Sequence, residues 1–223
     1  MPRANRHIQP GNTYHVTHRC HDRAFLLRFA RDRQAYRAWL RDGLAHWSVN
    51  LLTYCITSNH VHLLLKASTP HELARFMQRV AGGMAQAYNQ RKRRSGAFWS
   101  DRYHAAMIED GEHLWRCMQY IDLNMVRAGQ VAHPSDWEWT GWGELMGERR
   151  RNKILSMDTV LYALDVATET AFRKLHAERI ADALARRSFD REPWWTESVA
   201  VGSAEFTGRI EQELTVDYTR RRL

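Results

Sequence analysis

Leu51-Leu-Thr-Tyr-Cys-Ile-Thr57, the pair Ser58-Asn59, and His60-Val-His-Leu-Leu-Leu-Lys66 decide the fold. Two apolar runs rich in β-formers flank a short polar break, the pattern of a β-hairpin. Upstream, Thr13-Tyr-His-Val-Thr-His-Arg-Cys20 alternates with period two and predicts a strand. Between them, Tyr36, Trp39, Leu40, Leu44 and Trp47 fall largely at spacings of three and four, an amphipathic helix over 32–47. Downstream, Pro70 stands where a helix would begin, and Leu73, Phe76, Met77, Val80, Met84 and Ala87 carry its stripe toward Arg91-Lys-Arg-Arg94. Phe98–Ile108 is the expected fourth strand. Asp110 is placed to cap a helix with the core stripe Leu114, Met118, Ile121, Met125 and Ala128, and Gly129 suits its end. The order β-α-β-β-α-β plus a helix predicts an α+β, ferredoxin-like layer.

Composition shifts after Gly129. Trp137, Trp139 and Trp142 lead to the basic loop Arg149-Arg-Arg-Asn-Lys153, then to helical patterning over about 156–187 and to Pro193-Trp-Trp195. The expected organisation is a first domain over 1–150 and a mainly helical C-terminal extension over 151–223, within the domain count that 223 residues allow. No apolar run reaches the ~18 residues of a membrane span, and the N-terminus lacks a secretory apolar core, so a soluble cytoplasmic protein without membrane contact is expected. Cys20, Cys55 and Cys117 are odd in number and lack CxxC spacing, which predicts buried thiols rather than disulfides or a cysteine zinc site.

The net charge of +8 is unevenly placed. Nine Arg against three Asp in residues 1–57, and ten basic against six acidic residues in 58–128, leave +10 there; fourteen basic against sixteen acidic residues in 129–223 leave −2. A positive half points to a polyanionic partner. Of 33 basic residues 29 are Arg, whose planar fork pairs with phosphate and stacks on bases.

Two constellations could carry chemistry. On a strand, His60 and His62 project to one face while Val61, Leu63 and Leu65 face the other. Paired imidazoles can hold a divalent cation and leave positions open, although an isolated His-x-His is also compatible with ordinary hydrogen bonding. On the helix over 112–128, Arg116, Tyr120, Asn124 and Arg127 share a face opposite the core stripe. Together they offer a hydroxyl nucleophile, a hard oxygen and two phosphate-pairing cations.

Asn59-His60-Val61-His62-Leu63-Leu64, followed by Tyr120-Ile-Asp-Leu-Asn124-Met-Val-Arg-Ala-Gly129, resembles the single-tyrosine HUH transposases, and within them the REP-associated tyrosine transposases of bacteria. Tyr14-His15-Val16-Thr17 and Gly96-Ala-Phe-Trp-Ser-Asp-Arg-Tyr103 are similar to family segments too, so the resemblance covers about residues 8–145 in order and spacing. Met125 departs from the Pro of many members; a helix accepts Met more readily, so little consequence is expected.

The resemblance implies a DNA transposition enzyme that nicks and rejoins single-stranded DNA near hairpins. Tyr120 would be the nucleophile, forming a 5′-phosphotyrosine, and His60, His62 and Asn124 would be ligands of Mg²⁺ or Mn²⁺. Single-stranded or hairpin DNA would be the partner, met by Arg3, Arg6, Arg102, Arg116 and Arg127, with Trp99 and Tyr103 as either base platforms or core. The enzyme would be a monomer or a homodimer. Two other readings stay open: a catalytically silent hairpin-binding protein, which leaves the intact Tyr120 and His60/His62 set unexplained, and a water-using metal phosphoesterase, which has no need of Tyr120.

Overall fold

The alternating pattern around the hairpin builds a sheet with helices on both faces. The computed structural model describes residues 8–220; Arg3 and Arg6 lie outside that range. In chain order the elements are β1 (Thr13–Arg19), α1 (Ala30–His46), β2 (Val49–Ile56), β3 (His60–Ala67), α2 (Pro70–Lys92), β4 (His104–Ile108), α3 (Glu112–Asp122) and α4 (Asn124–Arg127). There follow α5 (Trp142–Leu145), α6 (Met157–Ala163), α7 (Glu169–Ala185), α8 (Trp194–Glu197), β5 (Ala200–Val201) and α9 (Ala204–Arg220). The sheet order β2-β3-β1-β4-β5 contains the ferredoxin-like arrangement, with β1 antiparallel to both β3 and β4.

Each strand's alternation feeds two cores. Tyr14, Val16, Val61, Leu63 and Leu65 pack with Leu40, Phe76 and Val80 of α1 and α2. A Cβ at Gly43 would come within 2.8 Å of Phe76, and one at Gly83 within 2.6 Å of Trp39, so these two helices touch as closely as they do because glycine stands there. On the other face Leu52, Cys55, Leu64, Ala106 and Ile108 meet Leu114, Met118 and Ile121 of α3. A bulge between Leu51 and Thr53 shifts the alternation, so that Leu51 and Tyr54, three residues apart, serve one face while Leu52 and Cys55 serve the other. Burying such a side chain contributes about 1.5–3 kcal/mol.

Four expectations change. The fourth strand is regular only over His104–Ile108, because Ser100–Arg102 bends away; Trp99 bridges to Cys20 instead. Asp110 does not cap α3, whose N-cap is Gly111; its carboxylate accepts from Thr13 Oγ1 at 2.9 Å and pairs with Lys66 Nζ at 2.7 Å. The helix over 112–128 is broken at Leu123 into α3 and α4, and Ala128 is exposed beyond the end rather than on a core stripe. Gly129 does terminate it, at φ +64°, with Gln130 N–H returning to the Met125 carbonyl at 3.0 Å.

The residues after 150 share these cores. β5 pairs in parallel with β4, Phe206 and Ile210 join the core under α1 and α2, and Phe172 and Trp195 join the core under α3. Cys20, Cys55 and Cys117 are free and buried, as expected. Among the described residues no helix is long and apolar enough to cross a membrane.

Candidate active site

The site forms where β1 and β3 lie under α3. Pairing places Thr17 opposite His62 and His15 opposite Leu64. Since Val16, Val61 and Leu63 serve the α1/α2 core, His15, His60 and His62 project toward α3. His60 is held locally: its Nδ1 donates to Asn59 Oδ1 at 2.7 Å, with Thr57 Oγ1 at 3.0 Å. The Thr57 hydroxyl also accepts from His60 N–H at 3.1 Å and donates to the His60 carbonyl at 2.8 Å, so the hairpin turn itself orients the ring.

α3 delivers Tyr120 and α4 delivers Asn124. The Tyr120 ring stands edge-on to His15 and His62, with centroids 6.0 and 6.1 Å away, and lies 6.0 Å from the Trp195 indole. Asn124 Nδ2 is 3.0 Å from His62 Nε2. The structure therefore brings together four of the residues singled out in the sequence: His60, His62, Tyr120 and Asn124. Arg127 covers the Tyr120 ring at 4.0 Å and donates to the Tyr120 carbonyl at 3.1 Å, so it is a close neighbour of the phenol. Arg116 is half-exposed and, with Tyr120, Arg127, Arg191 and Glu192, lines a cavity of about 380 Å³ between α3 and the segment before α8. Arg102 lies elsewhere, beside a slot formed by His18, Trp99 and Tyr103. Trp99 donates to the Ala81 carbonyl at 2.9 Å, stacks on His18 and packs on the core, and Tyr103 is buried, so these aromatics are structural.

Burial raises the Tyr120 phenol above its ordinary value, and the Arg127 and Arg191 guanidinium groups pull it back. Burial holds His60 down at about 4 and His15 at about 3, and it takes His62 well below its usual range. The imidazoles are thus neutral at neutral pH. In the unfolded chain they protonate below about 6.5, so the unfolded state binds more protons as pH falls from there toward 4, and stability is lost across that window. His15 alone should cost about 2 kcal/mol at pH 5. The urea midpoint in EDTA is expected to be lower at about pH 5 than at about pH 7.5; an unchanged midpoint would contradict neutral burial.

Among the described residues no group of three or more His, Cys, Asp or Glu could hold a metal ion. Two imidazoles and a carboxamide, those of His60, His62 and Asn124, are the side chains here that could hold a divalent cation, a small and neutral set that leaves room in its shell for phosphate and water. Sequence reasoning missed two contributors. His15 Nε2 lies 2.9 Å from His62 Nδ1, and His15 Nδ1 lies 2.8 Å from the Trp195 carbonyl. His15 was detectable from alternation, since it stands opposite Tyr14 and Val16; nothing in the sequence placed Trp195 here.

Comparison with known proteins agrees with this geometry. Over 119 residues the chain is 24% identical to the "Putative REP-associated tyrosine transposase" of Haemophilus influenzae, covering 48% of this chain and 66% of that relative, just under two thirds of its length. Its fold is like that of a REP-associated tyrosine transposase solved bound to a REP hairpin, with a TM-score of 0.57 at 16% identity, over 71% of this chain and 90% of the other. The family described as "Transposase IS200 like" matches residues 9–124, more than half of the chain, from just before β1 to Asn124. That span holds both histidine-bearing strands and the tyrosine helix, and the chain belongs to the IS200-like transposase family.

Proposed function

We propose that this chain cuts and rejoins single-stranded DNA beside REP-like hairpins through a covalent bond to Tyr120. The observation that carries the reading is the phenol ring of α3 set edge-on to His62 of the His60/His62 pair, one turn before an Asn that reaches His62. A similar fold bound to a REP hairpin and a relative named as a REP-associated tyrosine transposase support the substrate class.

In this reading the Tyr120 oxygen attacks the scissile phosphorus, the P–O3′ bond breaks, and the departing 3′-oxygen takes up a proton to balance the one lost by the phenol. The products are a 5′-phosphotyrosyl enzyme and a free 3′-OH. The phosphodiester energy is retained, so a second 3′-OH can reverse the step without a nucleotide cofactor. Arg127 favours the phenolate by lying over its ring. Arg116 and Arg191 give the cavity beside Tyr120 its cationic wall for backbone phosphate. His60, His62 and Asn124 would hold Mg²⁺ or Mn²⁺, which when bound supplies charge withdrawal from a non-bridging phosphate oxygen. Arg3, Arg6 and Arg102, away from this cavity or outside the described residues, are proposed contacts to the hairpin. The positive first 128 residues are proposed as the main DNA-binding surface.

The test is incubation of the full chain with end-labelled hairpin DNA carrying a single-stranded flank, with Mg²⁺ or Mn²⁺, followed by denaturing electrophoresis. A protein–DNA adduct supports the tyrosine enzyme. Binding without cleavage identifies a silent hairpin-binding protein, and cleavage without an adduct identifies a water-using phosphoesterase. His60→Ala and His62→Ala are each expected to reduce cleavage by more than the roughly 10–100-fold that loss of an outer-shell partner costs at metal sites, with hairpin affinity in gel shift close to that of the parent. Full cleavage by the parent in EDTA would remove the metal from the account.

A further inference from the structure

His60 and His62 are anchored by different parts of the chain, and only the first anchor is local. His62 Nδ1 lies against His15 Nε2 at 2.9 Å, the two rings within 18° of coplanar and their centroids 5.1 Å apart, as an in-plane N–H···N bond requires. The far side of His15 ends on a backbone carbonyl, Trp195 O, at 2.8 Å. A carbonyl can only accept, so His15 Nδ1 carries the hydrogen. His15 is fully buried in the central strand, and among the described residues no carboxylate is within bonding distance of its ring to balance a second proton. Its Nε2 is then a lone pair, His62 Nδ1 must be the donor, and His62 Nε2 is left as the acceptor. The Asn124 carboxamide lies 3.0 Å from that Nε2 with its nitrogen turned toward it, an orientation compatible with an acceptor there.

We propose that His15 is a positioning residue. It fixes His62 as the Nδ1–H tautomer, so that Nε2 presents its lone pair to the cation, and the C-terminal extension anchors the relay through the Trp195 carbonyl. The Trp195 indole, itself fully buried in the core under α3, keeps that carbonyl in place. His60 reaches the same state by another route, its Nδ1 donating to Asn59. Both imidazoles thus turn the same nitrogen toward the site. This inference rests on the metal-assisted reading, and it gives the residues after 150 a part in the reaction centre.

The experiment uses the full chain with ¹⁵N-labelled histidine, metal-free in EDTA at about pH 7.5. Long-range ¹H–¹⁵N correlation spectra of the imidazoles report which ring nitrogen bears hydrogen, and His62→Gln assigns the signal. The parent should show His62 protonated at Nδ1. Mn²⁺ affinity is then measured calorimetrically for the parent, His15→Met and His15→Gln. Met fills the volume with only a weak thioether acceptor and should weaken Mn²⁺ binding roughly 10–100-fold, the range for lost outer-shell partners. Gln restores an acceptor near the old Nε2 and should recover most of the affinity.

An Nε2-protonated His62 in a parent that binds Mn²⁺ overturns the relay while sparing the metal reading. A folded His15→Met with parental Mn²⁺ affinity overturns it as well. A parent with the Nδ1–H tautomer that binds no Mn²⁺ would sink the metal reading and, with it, the purpose assigned to His15. If His15→Met fails to fold, the parent's tautomer and the Gln variant still decide the question.

Discussion

Tyr120→Phe is expected to abolish the protein–DNA adduct and to lower cleavage by about 10⁴-fold or more, the scale on which loss of a nucleophile shows in enzymes whose catalytic groups act as a unit. Hairpin affinity and melting temperature should stay close to the parent's. The ring rather than the hydroxyl holds this side chain: Arg127 covers its face, His15 and His62 meet it edge-on, and Trp195 closes the remaining side. Phenylalanine keeps all four contacts. Cleavage is read as labelled single-stranded product from a hairpin substrate, and adduct as a slow band that resists denaturation. A Phe variant that still cuts at the parental rate would show that water is the nucleophile and that Tyr120 is a packing residue of α3.

The layer of strands and helices was legible because its signals are local and periodic. Val61, Leu63 and Leu65 alternate against His60 and His62, and that alone puts both imidazoles on one face. Tyr120 and Asn124 are one turn apart whether or not the helix is broken at Leu123, so their shared face survived the break. The features that escaped are those decided by tertiary partners. The sequence puts Arg127 on the Tyr120 face, but only the tertiary structure lays its guanidinium over the phenol ring. Asp110 has the right position for a cap, yet Thr13 and Lys66 compete successfully for its carboxylate. The charge changes sign after residue 128, and across the boundary expected near 150 β5, Phe172, Phe206 and Ile210 complete cores begun by the first 128 residues. A truncation there would remove a side of each core and the Trp195 carbonyl together, so DNA affinity of the positive half is better assigned by charge substitutions in the full chain.

The extension meets the tyrosine helix at a second buried point, Asp122, two residues beyond Tyr120. Its Oδ2 accepts from His176 Nε2 of α7 at 2.8 Å, and its Oδ1 accepts from Thr53 Oγ1 of β2 at 3.2 Å. Both side chains of the Asp122–His176 pair are wholly inaccessible to solvent. The imidazole lies nearly parallel to Phe172, at 14°, and to Trp115, at 28°, with Trp142 also beside it. The ring faces stacked on the imidazole offer a stranded carboxylate no compensating hydrogen bond. His176→Ala, which leaves Asp122 buried with only a hydroxyl, is therefore expected to destabilise the protein by about 3–5 kcal/mol, the cost of breaking a buried pair from one side. Asp122→Ala should cost a similar amount by stranding the imidazole and opening a cavity. Because one loss largely contains the other, the double variant should be less destabilised than the sum by at least about 1 kcal/mol. Urea unfolding of the four proteins closes this cycle. Additive losses would show that the two side chains act separately, and that packing of Phe172 and Trp115, rather than the Asp122–His176 bond, ties α7 to the helix that carries Tyr120.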